Sequence, residues 1–263
     1  MSNAVGRTVL FTCVVLMACG QVTTTNTALV AVEKQEPVYR DPLYKKVNKQ
    51  IMDNVYSGIT GFGVVSPQEK AFIEKGYSTK KTSIYGEIPY DSLQVILDNE
   101  RFGPNDIFYD LGSGVGKVVT QVYLNTPVKK AVGIELSGSR HAGAVKMLKN
   151  FKQTDAYNDR KRNGKTKRTL AFAQQDFLKA NINDATIIYM CSTCFPPELM
   201  TGLIKKFQKI NRQGLRIITL KVLPDYENNG FRFERSYKLP MSWSKQGNVS
   251  AVYVYSYVGD VFK

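Results

Sequence analysis

The chain has 263 residues, 43% hydrophobic and 22% charged, the composition of a globular protein able to bury one full core. Its 36 Lys and Arg against 22 Asp and Glu leave a formal net charge of +14, a field that suits acidic partners: nucleic acid, a nucleosome-like complex or an anionic membrane. Four cysteines, Cys13 and Cys19 near the start and Cys191 and Cys194 far downstream, exclude a dense disulfide framework, and the single histidine, His141, leaves a zinc site short of ligands.

Residues 1–32 lack Asp and Glu, are rich in Thr and carry the apolar run Thr8 to Ala18 behind Arg7. That is the shape of a targeting leader whose hydrophobic stretch is too short to span a bilayer. Leu16-Met17-Ala18-Cys19 also has the form of a lipoprotein cleavage site; an untargeted tail is the plain alternative. Residues 33–81 read as a helical extension. Leu43, Tyr44, Val47, Ile51 and Val55 form one apolar stripe, with Lys45, Lys46 and Lys49 facing elsewhere. Ser66-Pro67-Gln68-Glu69 is a capping box opening a second helix through Ala71, Phe72 and Ile73, and Ile59 to Gly63 between them reads as loop. A further helix runs through Leu93, Val95, Ile96 and Leu97.

Phe108 to Val119 reads as a short buried strand, an acid, Asp110, and then Gly112, Gly114 and Gly116 before a helix. Such a turn brings backbone close to a ligand and aims a helix N-terminus at it. The dinucleotide fingerprint is G-x-G-x-x-G, whereas G-x-G-x-G after Asp110-Leu111 favours S-adenosylmethionine over a nicotinamide cofactor; a glycine turn without a ligand is the bland alternative. Upstream, Gly86 and Pro89 hold Glu87 in a turn, where it either receives the amino group of a methionine moiety or stabilises the next helix N-terminus.

Ala131 to Glu135 is the next strand, and Glu135 at its end is placed to accept both ribose hydroxyls. Arg140 and His141 begin a helix, with His141 packed or exposed. Between Lys152 and Arg168 the chain turns basic; residues 160–168 are either a solvated loop or the footprint of a nucleic-acid contact. After the strand Leu170 to Ala173, Asp176 is placed to accept from an adenine amine and Phe177 to cover the ring, although core and cap roles suit them equally. The strand Ile187 to Met190 ends at Cys191-Ser192-Thr193-Cys194-Phe195, either a redox pair or the reaction point of a transferase. Leu215 to Leu220, Phe231 to Phe233 and Val249 to Val258 add strands, the last two a closing antiparallel pair. Alternating strands and helices followed by this hairpin predict an α/β fold, the Rossmann-like seven-stranded sheet of a class I S-adenosylmethionine-dependent methyltransferase, over residues 82–263.

Tyr85-Gly86-Glu87, Asp110 to Val119, Gly133-Ile134-Glu135, Asp176-Phe177-Leu178 and Ser242-Trp243, in that order, resemble the Dot-one (disruptor of telomeric silencing) proteins, histone lysine methyltransferases that lack a SET domain. The resemblance implies S-adenosylmethionine as donor, a histone or other basic protein as acceptor, and a nuclear location. A donor made and kept inside cells also argues against export and for an organelle-directed leader or an untargeted tail over residues 1–32. By position, Tyr85, Glu87, Asp110, Gly112, Ser113, Gly114, Gly116, Lys117, Glu135, Asp176 and Phe177 bind the cofactor. Cys191, Ser192, Phe195 and Trp243, with tyrosines of the last strand, line the acceptor channel, where desolvation beside a sulfonium makes a dedicated base unnecessary. The chain departs from the family at Ile88, at Lys117 where glutamine is usual, across Cys191 to Cys194, and at Ala251 in place of tyrosine. These departures leave open a non-histone protein, RNA or a small molecule as acceptor, or a binding module without activity.

Overall fold

The computed structural model describes residues 38–163 and 166–259. The leader expected over residues 1–32 lies outside them. Helices α1 (Pro42–Val55), α2 (Pro67–Glu74) and α3 (Tyr90–Asn99) precede strand β1 (Ile107–Leu111). Then follow α4 (Lys117–Asn125), β2 (Lys130–Glu135), α5 (Gly138–Lys152), α6 (Asp155–Arg160), a small ladder of β3 (Arg162–Asn163) with β4 (Thr166–Lys167), and β5 (Thr169–Gln174). After β6 (Ile187–Met190) comes a 3-10 turn, Ser192–Cys194, then α7 (Pro197–Ile210), β7 (Arg216–Thr219), β8 (Phe231–Leu239) and β9 (Ser250–Tyr257).

The seven-stranded sheet runs β5-β2-β1-β6-β7-β9-β8, parallel from β5 to β7 and antiparallel at β9 and β8. Strand order reverses direction at β1, which pairs with β2 on one side and β6 on the other. In open α/β sheets a ligand crevice forms at such a switch point, beyond the carboxyl ends of the strands. β1 ends there in Asp110 and Leu111.

Alternation along the strands divides the core into two layers. Phe108, Tyr189, Val252 and Val254 pack with Val119 and Val122 of α4; Tyr109, Leu111, Ile188 and Met190 pack with Leu203 and Phe207 of α7. Tyr255 and Tyr257 belong to the second layer. The tyrosines expected to wall an acceptor channel are thus spent on the core, because their side of β9 is covered by the sheet's α7 layer.

The α1 stripe differs from its sequence reading. Leu43 is 67% exposed and Val47 40%, whereas Asn48, Met52 and Val55 face inward. Asn48 is buried because it donates to Leu124 O at 3.2 Å and to the Asn125 side chain at 2.6 Å, serving the buried carbonyl end of α4, which lacks intrahelical donors. Met52, Val55 and Ile59 share one apolar cluster with Phe108 and Val119, so the helical extension joins the main core. The capping box is half formed. Ser66 Oγ accepts from Glu69 N–H at 3.2 Å, but the Glu69 carboxylate reaches Ser137 and Ser139 at the start of α5 instead of its own cap.

The basic stretch is also more structural than a solvated loop. Arg168 is 3% exposed; its Nη2 caps the end of α4 by donating to Tyr123 O and Thr126 O at 2.7 Å, while Nε donates to Val128 O at 2.9 Å and Nη1 to Arg160 O at 3.3 Å. Arg160 lies over the Tyr44 ring at 4.8 Å and donates to Asn48 Oδ1 at 2.7 Å. Among the described residues no helix is long and apolar enough to cross a membrane.

Candidate active site

The loop after β1 closes on itself. Gly112 and Ser113 N–H both donate to Ile134 O (2.8 and 3.1 Å), Gly114 N–H to Glu135 Oε2 (2.8 Å) and Gly116 N–H to Ser113 O (2.8 Å). Gly114 at φ +56° and Gly116 at φ +87° are in the left-handed region, and a Cβ would overlap the Tyr85 ring at the first and the Phe172 ring at the second. Only glycine meets both demands. Gly112, by contrast, opens onto a cleft where an added Cβ would find nothing nearer than Phe195 at 3.6 Å.

Tyr85, Gly86 and Glu87 are clamped between that loop and the far end of the chain. Tyr85 OH donates to Glu87 Oε1 and Lys117 Nζ to Glu87 Oε2, both at 2.8 Å. Glu87 thus has both oxygens engaged within the protein. Trp243 covers Gly86 so closely that a Cβ there would stand 2.5 Å from the indole. This explains why two motifs far apart in sequence occur together: they are one contact.

Arg140, read from the sequence only as the beginning of a helix, belongs to the site. Its guanidinium lies over the Tyr85 ring at 4.7 Å and donates to Ser83 O at 2.8 Å and Gly61 O at 3.3 Å. A cation in the first turn of a helix opposes the helix dipole, and that mismatch is the sequence signal that points to a compensating partner.

A cleft of about 270 Å³ runs from Glu135 and Leu136 past Gly112 and Arg140 to Phe195 and Trp243. Phe177 is in its wall, stacked on Phe195 at 5.5 Å. Asp176 is not; its Oδ1 accepts from Leu178 N–H at 2.9 Å, capping the turn. A smaller cavity of about 30 Å³ adjoins, bounded by Asp110, Ser113, Lys117, Tyr189 and Cys191. Asp110 is 2% exposed and its Oδ1 has no partner among the described residues; burial, with the Glu135 charge adding, holds its carboxyl well above the usual range. Burial also raises Glu135, against the opposing pull of the Ser137 and Gly114 amides. Two buried acids, Glu135 on the cleft and Asp110 on the adjoining cavity, are suited to a ligand that brings hydroxyls and positive charge.

The turn after β6 divides its residues between cleft and core. Cys191, Thr193, Cys194 and Phe195 line the cleft. Ser192 does not: fully buried, its Oγ bonds Thr219 Oγ1 at 2.7 Å and accepts from Lys221 N–H at 2.9 Å, fixing the turn to β7. Both cysteines are free, and burial, with Asp110 and Cys194 adding, pushes the Cys191 thiol up to about 12. A raised thiol is a poor nucleophile, which suits Cys191 to its place in the cleft wall better than to a redox pair. Among the described residues no group of His, Cys, Asp and Glu could hold a metal ion.

Sheet order, switch point and glycine loop define a class I methyltransferase fold, and the unpartnered Asp110, the Gly112 opening and Glu135 fit an S-adenosylmethionine molecule. Residues 64–239, more than half of the chain, match the family described as histone methylation protein DOT1, and the chain belongs to that family. It is similar to proteins named "Histone-lysine N-methyltransferase, H3 lysine-79 specific" in Drosophila melanogaster (26% identity over 198 residues) and Caenorhabditis elegans (30% over 158). These alignments cover 74% and 58% of this chain but only 10% and 16% of those relatives. A protein-lysine N-methyltransferase of Saccharolobus islandicus is 25% identical over 135 residues, 51% of this chain and 74% of that protein.

Proposed function

We propose that the chain is an S-adenosylmethionine-dependent protein-lysine N-methyltransferase of DOT1 type, with a histone as acceptor. What supports the donor is the buried Asp110, whose Oδ1 has no partner among the described residues, beside the glycine loop, with Glu135 at the adjoining strand end; the family match over residues 64–239 supports the acceptor. When bound, the donor supplies an electrophilic methyl on a sulfonium. Glu135 would hold the ribose hydroxyls, Phe177 and Leu136 would flank the base, and Asp110 would face the cationic end. Phe195, Cys191 and Trp243 align the acceptor amine and keep water out. A lysine amine, with an ordinary pKa of about 10.4, loses its proton on leaving water for this apolar wall, so no side-chain base is required.

A second reading, a non-histone protein acceptor, is favoured by the wall itself, where Cys191, Thr193 and Cys194 fall in the stretch at which the chain departs from the family. The similar protein-lysine N-methyltransferase of Saccharolobus islandicus supports a protein acceptor in either case. A histone acceptor would place the chain in the nucleus. Nucleic-acid contact then falls to Lys161, Arg162 and Lys167, since Arg160 and Arg168 are engaged inward.

Incubating the full chain with labelled donor and nucleosomes, free histones or cell lysate tests this. Labelled lysine in a histone is the expected result. Label only in other lysate proteins selects the second reading, and calorimetry showing no heat with S-adenosylhomocysteine would overturn both.

A further inference from the structure

Tyr189 pairs directly with Asp110 in the parallel β1–β6 register, so the two side chains stand side by side on one face of the sheet. Tyr189 is 1% exposed, and its hydroxyl, like Asp110 Oδ1, has no hydrogen-bond partner among the described residues. Both line the cavity of about 30 Å³, space for one water or one small headgroup. Ser113 lines it too, but its Oγ lies against Gly133, where an added Cβ would meet it at 2.5 Å.

A buried hydroxyl without a partner costs stability. Phenylalanine would fill the same place among Phe108, Val115 and Val119 without that cost. The hydroxyl therefore marks a guest. An ionised carboxylate only accepts, and a phenol oxygen has lone pairs to accept as well. The guest must donate, and it must balance negative charge. Glu87 is less suited to this role, because the Lys117 ammonium at 2.8 Å already balances its charge. A primary ammonium has the right size, charge and donors.

We propose that Tyr189 is a cofactor-positioning residue whose hydroxyl, together with Asp110 Oδ1, holds the α-ammonium at the methionine end of the methyl donor. The assignment rests on the cofactor reading above. It goes beyond that reading by giving the ammonium a second ligand on β6, the strand that also carries the acceptor wall at Cys191.

Tyr189→Phe in the full chain tests it with two measurements: ligand-free melting, and calorimetric titration with S-adenosylhomocysteine, which keeps the ammonium and lacks the sulfonium. The variant is expected to melt at or above wild type while binding about tenfold more weakly, as for loss of a hydrogen bond to a charged group. A merely structural hydroxyl would lower the melting temperature. Lower melting, or binding as tight as wild type, overturns the proposal. Wild-type protein that fails to bind the ligand would sink the cofactor reading first, and this assignment with it, before any variant is compared.

Discussion

Ser242 and Glu87, 155 residues apart, are joined by two hydrogen bonds: Glu87 N–H donates to Ser242 Oγ at 2.8 Å, and Ser242 N–H donates to the Glu87 carbonyl at 2.9 Å. The pair ties the segment before β8's return strand to the turn before α3 and lays Trp243 across Gly86. One end of the cleft, at Trp243, is thereby anchored to residues that also brace the glycine loop.

Gly86→Ala should displace the Trp243 indole, since the new Cβ would lie 2.5 Å from it. The exposed ring can swing outward, so the fold survives. Misplacing an aligning wall costs on the order of 100-fold in kcat/KM, with S-adenosylhomocysteine affinity little changed. Steady-state kinetics beside calorimetry would measure both; an equal loss in the two would contradict the division of the cleft.

Gly116→Ala is expected to destabilise the whole fold by roughly 1–3 kcal/mol from backbone strain alone, and more from overlap with Phe172. Gly247→Ala is the control, because that residue has φ +82° but open space around its Cβ position. Urea unfolding of the two variants should show Gly116→Ala clearly the worse.

Arg168→Ala leaves three α4 and post-α4 carbonyls without their donor. Buried unsatisfied groups cost about 1–3 kcal/mol each, so unfolding should occur at markedly lower denaturant. Charge removal at exposed Arg162 should leave stability alone and affect only binding to an anionic partner. Should Arg168→Ala remain as stable as wild type, the capping role is wrong.

Burial holds the Asp110 and Glu135 carboxyls above their ordinary range. Folded pKa values above unfolded ones mean that ligand-free stability is greatest at low pH and is lost as pH rises from about 4 into the raised range. A bound cation favours the ionised acids, so affinity for S-adenosylhomocysteine should rise with pH across the same window, with proton release. Calorimetry in two buffers of different ionisation enthalpy reads that release, which Asp110→Asn should diminish while weakening binding about tenfold or more. Heats independent of buffer and pH would refute it.

Much of the fold was legible because its signals are local. The left-handed backbone at Gly114 and Gly116, the acid ending β1 and the acid ending β2 follow from what a tight turn and a strand end require of residues a few positions apart. Alternation in β9, Val252 and Val254 against Tyr253, Tyr255 and Tyr257, likewise announced two faces, although not which face the tyrosines would fill.

The tertiary structure decided what depends on distant partners. Ser192 turns inward because Thr219 and Lys221 of the neighbouring strand and its exit wait there, and a 3-10 turn has no sequence period to reveal that direction. Glu87 is already paired, Arg140 lies on Tyr85, Arg168 caps a helix about forty residues upstream, and Tyr189 stands beside Asp110, each through chain crossings no local pattern encodes. The glycine loop and its acids were therefore determined by the sequence alone, since backbone conformation constrains residue type on the spot. Which polar groups are satisfied, and which are left to hold a ligand, was settled only when β1 and β6 met in register.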